Sequence, residues 1–117
     1  MITVVSYGER HGPPPACDLH VDCTVFGMPP PAVRAGTGLD SVVAEYVLSE
    51  PLAYDYITLL AKWASERDTP YTLIACGCVD GRHRSVAVAE EIARRLKRAG
   101  VDTQVIHRDL GIGMAGG

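Results

Sequence analysis

The sequence predicts an α/β fold: a three-layer, mostly parallel sheet of about four strands with flanking helices, forming a single domain over residues 1–117. Three observations predict it. Apolar and β-branched runs suited to strands occur at 2–7, 18–26, 71–78 and 101–107. Between them lie segments whose apolar residues return every three to four positions, the period of a helix. The strand–helix–strand order of the second half implies a parallel pair joined by a right-handed crossover.

The elements follow in order. "ITVVSY" (2–7) reads as a buried strand, and "GERHGPPP" (8–15) stops it, because glycine and three prolines cannot continue a ladder. "DLHVDCTVF" (18–26) alternates roughly apolar and polar and reads as a second strand, followed by the proline-rich loop "GMPPPAVRAGTG". Asp40 is placed to cap a short helix running to about Leu48. Leu52, Tyr56, Leu59, Leu60 and Trp63 then recur at helical spacing, so an amphipathic helix with that face inward is expected to end near Arg67. Trp63 and the tyrosines of this helix read as core rather than as a stacking platform.

"YTLIACGC" (71–78) is the strongest strand, and Ser85 to Ala99 the strongest helix. Val88, Ala89, Ile92, Leu96 and Ala99 form its apolar face. Glu90–Arg94 and Glu91–Arg95 stand four apart, the spacing at which opposite charges support a helix. Gly100 suits its C-terminal cap, "VDTQVIH" (101–107) returns as a strand, and "GIGMAGG" (111–117) reads as a flexible tail.

Nearly half of the residues are apolar, which suits a globular core, and a formal charge of −3 argues against a surface built to grip nucleic acid along its length. The first residues lack the basic, apolar and small-residue pattern of a signal peptide. No apolar run approaches the ~18 residues that would cross a bilayer. A cytoplasmic location is therefore expected, with Cys17, Cys23, Cys76 and Cys78 reduced. No G-x-x-x-x-G-K-[ST] occurs, which removes ATP hydrolysis by a Walker-type loop.

The chemistry concentrates in "CVDGRHRS" (78–85), which leaves the carboxyl end of a strand and opens the strongest helix. Ligands of such sheets bind at strand carboxyl ends. A helix N-terminus offers unpaired N–H groups, a glycine allows a tight turn, Arg84 can fork onto two oxygens, and Ser85 supplies a hydroxyl. That combination points to an anion site, most naturally for phosphate, against the plainer reading of a loop with solvated arginines.

Two sharper readings stand beside it. Cys78-x5-Arg84-Ser85 has the spacing of a cysteine-dependent phosphatase, in which Cys78 would be the nucleophile. Against it, no second-loop aspartate is obvious as the general acid, although Asp18, Asp22 and Asp40 are candidates, and Asp80 would oppose both thiolate and phosphate. A zinc site could draw on Cys17, Cys23, Cys76, Cys78, His20 and His83, but C-x-C on a strand places two thiols where buried cysteines simply pack. No metal or cofactor is expected.

Three further clusters are polar. "RAGTGLD" (34–40) is either a loop with Thr37 or Asp40 capping, or a lid or second wall of the anion site. "HRDL" (107–110) is either a strand end held by a surface Arg–Asp pair or, because strand ends converge, a source of His107 and Arg108 beside Arg84. "HVD" (20–22) sets His20 and Asp22 on one face of a strand. Local basicity at 82–84 and 107–108 favours a small anionic ligand over a long nucleic acid.

"GCVDGRHRSVAVAEEIARRL" followed by "HRDL" resembles the C-terminal domain of the RNase adapter RapZ family, where the pattern is G-C-T-G-G-K-H-R-S, a helix, then H-R-[DT]-L. "GTGLD" matches that family's T-G-L-D, "DLHVDC" its F-D-V-R strand through Asp22, and "SYGERHG" its opening S-F-G-x-x-x-G. The resemblance covers nearly the whole chain, with every motif in order. In the family this domain follows an N-terminal P-loop domain, so a stand-alone version is expected here, with a separate P-loop partner protein or a homo-oligomer as candidate assemblies.

The resemblance implies binding of a phosphorylated or nucleotide-linked aminosugar, a metabolite-sensing role in a bacterial cytoplasm and, in some members, binding of small regulatory RNA. Carried over by position, its ligand pocket comprises Asp22, Thr37, Gly38, Asp40, Gly81, His83, Arg84, Ser85, His107 and Arg108. Thr24 replaces the family's arginine after the aspartate strand, Val79 and Asp80 replace Thr-Gly, and the tail lacks a basic ending. The expectation is thus a non-catalytic binding module for a small anionic metabolite, with an RNA adapter and a Cys78 phosphatase as the alternatives.

Overall fold

The computed structural model describes residues 1–112. Strands β1 (Ile2–Gly8), β2 (Leu19–Asp22), β3 (Thr72–Cys78) and β4 (Thr103–His107) form one sheet in the order β2-β3-β1-β4. Every pairing is parallel, with Val4 opposite both Ile74 and Val105 and Val21 opposite Cys76. Helices α1 (Ser41–Leu48), α2 (Pro51–Ser65) and α3 (Arg84–Arg98) complete the α/β fold. No helix is long and apolar enough to cross a membrane among the described residues. Residues 113–117 of the expected tail lie outside the described residues, while Gly111 and Ile112 continue the turn after β4.

The strand order dictates where the connections run. The chain moves one way along the sheet from β1 to β2, and the other way from β2 to β3 and from β3 to β4. Right-handed crossovers in opposite directions must use opposite faces. The two connections that share a direction carry the helices, and their buried side chains form one cluster with Ile2, Val4, Val21, Ile74, Cys76 and Cys78. Alternate residues Val5, Tyr7 and Ala75 are buried outside that cluster, on the opposite face. There Arg108 lies over the Tyr7 ring and donates to the carbonyls of Gly12 and Pro13, so the β1–β2 segment covers this face.

Helix α3 is the spine of the core. Val86, Val88, Ala89, Ile92, Ala93 and Leu96 are buried, and Gly100 at φ +83° ends the helix while Val101 N–H reaches back to Leu96 O at 2.9 Å. Ala99, expected on the apolar face, is exposed at this terminus. Of the two expected ion pairs, Glu91–Arg95 forms at 3.1 Å, and Glu91 also takes Arg94. Glu90 turns instead to His107.

Helix α2 corrects the sequence reading most clearly. Its buried face is Ala53, Ile57, Leu60 and Ala64, whereas Leu52 and Leu59 are 74% and 66% exposed. The helical period was right and the phase was wrong. Two small alanines let the helix approach its neighbours closely, and apolar size alone hid them. The tyrosines are correspondingly outside: Tyr54 is exposed beneath the Arg95 guanidinium, and Tyr56 meets Phe26 edge-on. Strand β2 is also shorter than expected, because the Asp22 carboxylate accepts from Thr24 N–H at 3.0 Å and turns the chain into a single 3-10 turn, Cys23–Val25.

Candidate functional site

The carboxyl end of β3 passes into α3 through Val79 to His83. Gly81 takes φ +71°, a conformation that L side chains rarely adopt, and a Cβ there would fall 2.6 Å from Gly8 N. Glycine is thus required twice, for the turn and for contact with the end of β1. Arg10 N–H donates to Val79 O at 3.0 Å and ties the two strand ends together.

The 34–40 segment docks directly onto this turn. Gly38 N–H donates to Arg82 O at 2.9 Å, and a Cβ on Gly38 would meet Ala87 N and His83 O at 2.5 Å. His83, buried, places Nε2 2.8 Å from Arg34 O, and Arg82 donates to Ala35 O at 2.8 Å. Thr37 is buried, its hydroxyl accepting from Leu39 N–H at 3.1 Å. Asp40 stands at the N-cap position of α1, yet its carboxylate reaches back to Thr37 N–H at 2.7 Å rather than to the helix. The structure therefore sets Gly38, with Thr37 and Asp40 beside it in sequence, against Arg82 and His83 of the turn that holds Gly81 and leads into Arg84 and Ser85.

Arg84 is its most informative member. Its Nη1 donates to the carbonyls of Thr24 and Phe26 at 3.3 and 3.2 Å, and its Nε is buried with no hydrogen-bond partner among the described residues. Among the described residues no carboxylate forms an ion pair with it. Beside it lies a cavity of about 30 Å³ lined by Met28, Cys78, Val79, Asp80, His83 and Arg84. Asp22 does not line this cavity; its carboxyl is held below the usual aspartate range by hydrogen bonds from the Thr24 hydroxyl and N–H, with lesser help from His20 and Arg84.

The Cys78 thiol is 3% exposed and donates to Ser85 Oγ at 3.1 Å. Cys76 and Cys78 share the helix-side face of β3, as the C-x-C spacing implies, and the Cys23 thiol is pushed up by its hydrogen bond to Cys76 and by burial. All four cysteines are free. Among the described residues no three His, Cys, Asp or Glu side chains gather as metal ligands.

His107 and Arg108 take opposite faces of the sheet, and neither is a hydrogen-bond partner of Arg84. His107 lies between Ser6 Oγ and Glu90, at 2.6 and 2.9 Å. Arg108 pairs with Asp109 at 2.9 Å, but the expected surface pair is half internal, because Asp109 is buried and also accepts from Gly8 N–H at 2.8 Å. Burial opposes ionisation of Asp109, and the bonds from Arg108 and Gly8 outweigh it, holding the carboxyl below its ordinary value.

Sequence reasoning did not single out Met28, Arg10 or Ser6, and it gave Glu90 to Arg94 rather than to His107. Met28 reaches the cavity from a proline-rich loop with no period to read. Ser6 could have been found, since β1 alternation puts it on the face of Val4, opposite His107.

The RapZ C-terminal domain family model matches residues 1–111. The chain is 41% identical to a nucleotide-binding protein of Acidothermus cellulolyticus, over 93% of this chain and 40% of that protein. It is 42% identical to a nucleotide-binding protein of a Parafrankia species, over 93% and 41%, and 39% identical to one of Streptomyces coelicolor, over 93% and 40%. The chain spans about 40% of the length of these curated relatives. With the strand–turn–helix of residues 72–98 and its docked 37–40 segment matched from end to end, the chain belongs to the RapZ C-terminal domain family.

Proposed function

We propose that this chain is a non-catalytic binding module for a small phosphorylated or nucleotide-type metabolite, of the aminosugar phosphate or nucleotide sugar class, with its anion held by loop 78–85. The observation that carries this reading is Arg84, whose buried Nε has no hydrogen-bond partner and whose guanidinium forms no ion pair among the described residues, beside a cavity at the first turn of α3. An unsatisfied buried donor costs about 1–3 kcal/mol, more when charged, and an arriving oxyanion removes that cost. A cavity of about 30 Å³ has room for an oxyanion oxygen beside Arg84, and the rest of the metabolite would extend outside it. Gly81 to Ser85 supply the turn and the helix N-terminus, where negative charge is favoured.

Asp80 opposes an anion, and Arg10, 2.9 Å from its carboxylate, offsets that charge. Cys78 shapes the loop through Ser85 and attacks nothing, since a buried thiol already engaged as a donor is poorly placed as a nucleophile. The family match supports a binding module of this kind, and the names of the relatives, of which the chain spans about 40%, favour a nucleotide-type ligand. Metabolite sensing in concert with a P-loop domain, in the same or a separate polypeptide, completes the reading.

The test is thermal unfolding against an aminosugar phosphate, a nucleotide sugar and inorganic phosphate. A ligand at about 100 times its Kd stabilises the fold by about 2.7 kcal/mol. Stabilisation should vanish in Arg84→Ala and persist in Cys78→Ser. Stabilisation lost in Cys78→Ser and kept in Arg84→Ala would reject the reading.

A further inference from the structure

A second cavity, of about 220 Å³, shares only Asp80 with the one beside Arg84 and is lined otherwise by Arg10, His11, Arg82 and Ile112. Its place in the sheet is not arbitrary. β1 and β3 are neighbours, and their connections leave for opposite faces, one through segment 9–18 and the other through α3. Strand ends that diverge in this way open a crevice, and ligands of parallel sheets bind there. Arg10 and His11 follow β1, and Asp80 and Arg82 follow β3.

The charge of the crevice is one-sided. Arg10 and Arg82 face a single carboxylate, that of Asp80, and His11 adds an imidazole that can donate a hydrogen bond. Arg82 is fixed by the carbonyls of Ala35 and Gly36, at 2.8 and 3.3 Å, and has no acidic partner among the described residues. Its guanidinium is therefore held in place without being neutralised. Arg10 lies 2.9 Å from Asp80 Oδ1, yet that oxygen is buried and receives no aligned hydrogen bond. The pair is a charge contact of poor geometry, and the exposed Arg10 guanidinium keeps N–H groups free for an incoming oxyanion while it stays beside Asp80.

We infer that this crevice is a second anion site, formed by Arg10, His11 and Arg82, that takes a phosphate ester. Two guanidinium groups match the several oxygens of a phosphoryl group better than the two of a carboxylate. The phosphate can belong to a small molecule or to a polynucleotide backbone, since the chemistry at the crevice is the same. The inference does not depend on the Arg84 site.

Inorganic pyrophosphate and a short single-stranded oligoribonucleotide, followed by amide NMR, test it. At least one probe should shift the amides of residues 9–12 and 80–82. Arg10→Ala and His11→Ala should each weaken that probe roughly five- to tenfold, as loss of a charge-assisted contact does. Arg84→Ala should leave it unchanged. Pyrophosphate binding identifies a small-molecule site, and oligoribonucleotide binding alone, with the same dependence on Arg10, identifies a polynucleotide phosphate. Arg10 is exposed, so its variant should fold, whereas Arg82→Ala also loses the bonds that seat residues 35 and 36. If neither probe depends on Arg10 or His11, or if the shifts centre on Met28, Cys78 and Arg84 and disappear in Arg84→Ala, the inference is overturned. The Arg84 site would survive that result.

Discussion

The Glu90 carboxylate meets the His107 imidazole at 2.9 Å, bridging the middle of α3 to the last residue of β4. The other ring nitrogen lies 2.6 Å from Ser6 Oγ, within a wholly buried residue of β1. In the neutral ring, Nε2–H donates to Glu90 and Nδ1 accepts from Ser6. The chain of contacts thus pins three elements of the core.

Removing the ring leaves the Ser6 hydroxyl buried and unpaired. His107→Ala should therefore cost about 1–3 kcal/mol. Ser6→Ala in that background should cost much less than Ser6→Ala alone, because the partner is already gone. Urea denaturation of the two single variants and the double variant measures this coupling. Additive losses would show that the contact contributes nothing.

Asp109 predicts a specific acid sensitivity. Its carboxyl is held below the ordinary value by Arg108 and Gly8 N–H, despite burial. A group with a depressed folded pKa contributes stability that is present above its unfolded value of about 4 and lost as pH falls through the folded one. Asp22 adds in the same direction. Asp109→Asn should lower stability at neutral pH and flatten the fall below about pH 4, measured by urea midpoints across pH. An unchanged acid slope would remove Asp109 from this role.

The phase of α2 is open to a direct comparison. Ile57→Ala deletes a side chain that is 1% exposed and should cost about 2–5 kcal/mol. Leu59→Ala, at a site 66% exposed, should fall within about 0.5 kcal/mol of wild type. Equal losses would mean that Leu59 packs against something in solution.

That helix also marks where the sequence was legible and where it was not. Periodicity identified α2 and α3, and β-branched runs identified all four strands, because each signal is local. The face of α2 depends on which residues must be small at a close helix contact, which only the packed partner decides. The loop at 78–85 was legible because its turn, its charges and its helix start are contiguous. The docking of 37–40 on α3 was only half legible, since the local pattern of 34–40 left a capped loop and a wall of the anion site equally open and the family motifs favoured the second. The separation of His107 from Arg108 was hidden for another reason: successive strand residues face opposite ways, and convergence of strand ends does not bring their side chains together.

Gly38 should tolerate no side chain. A Cβ would lie 2.5 Å from the backbone at both Ala87 N and His83 O, and backbone cannot rotate away. Gly38→Ala should cost about 1–3 kcal/mol through overpacking and weaken any anion bound at loop 78–85 by displacing that wall. Urea denaturation and a phosphate titration of the folded variant check both parts. A variant as stable as wild type would mean that residues 34–40 sit further from α3.

The most direct measurement is calorimetric titration of an aminosugar phosphate, a nucleotide sugar and inorganic phosphate into wild type, Arg84→Ala and Cys78→Ser. The account predicts saturable binding of at least one of them by wild type, a loss of tenfold or more in Arg84→Ala, as for a charge-assisted contact of about 1.5–3 kcal/mol, and unchanged affinity in Cys78→Ser. Equal affinity in wild type and Arg84→Ala, or no binding of any of the three, would contradict it.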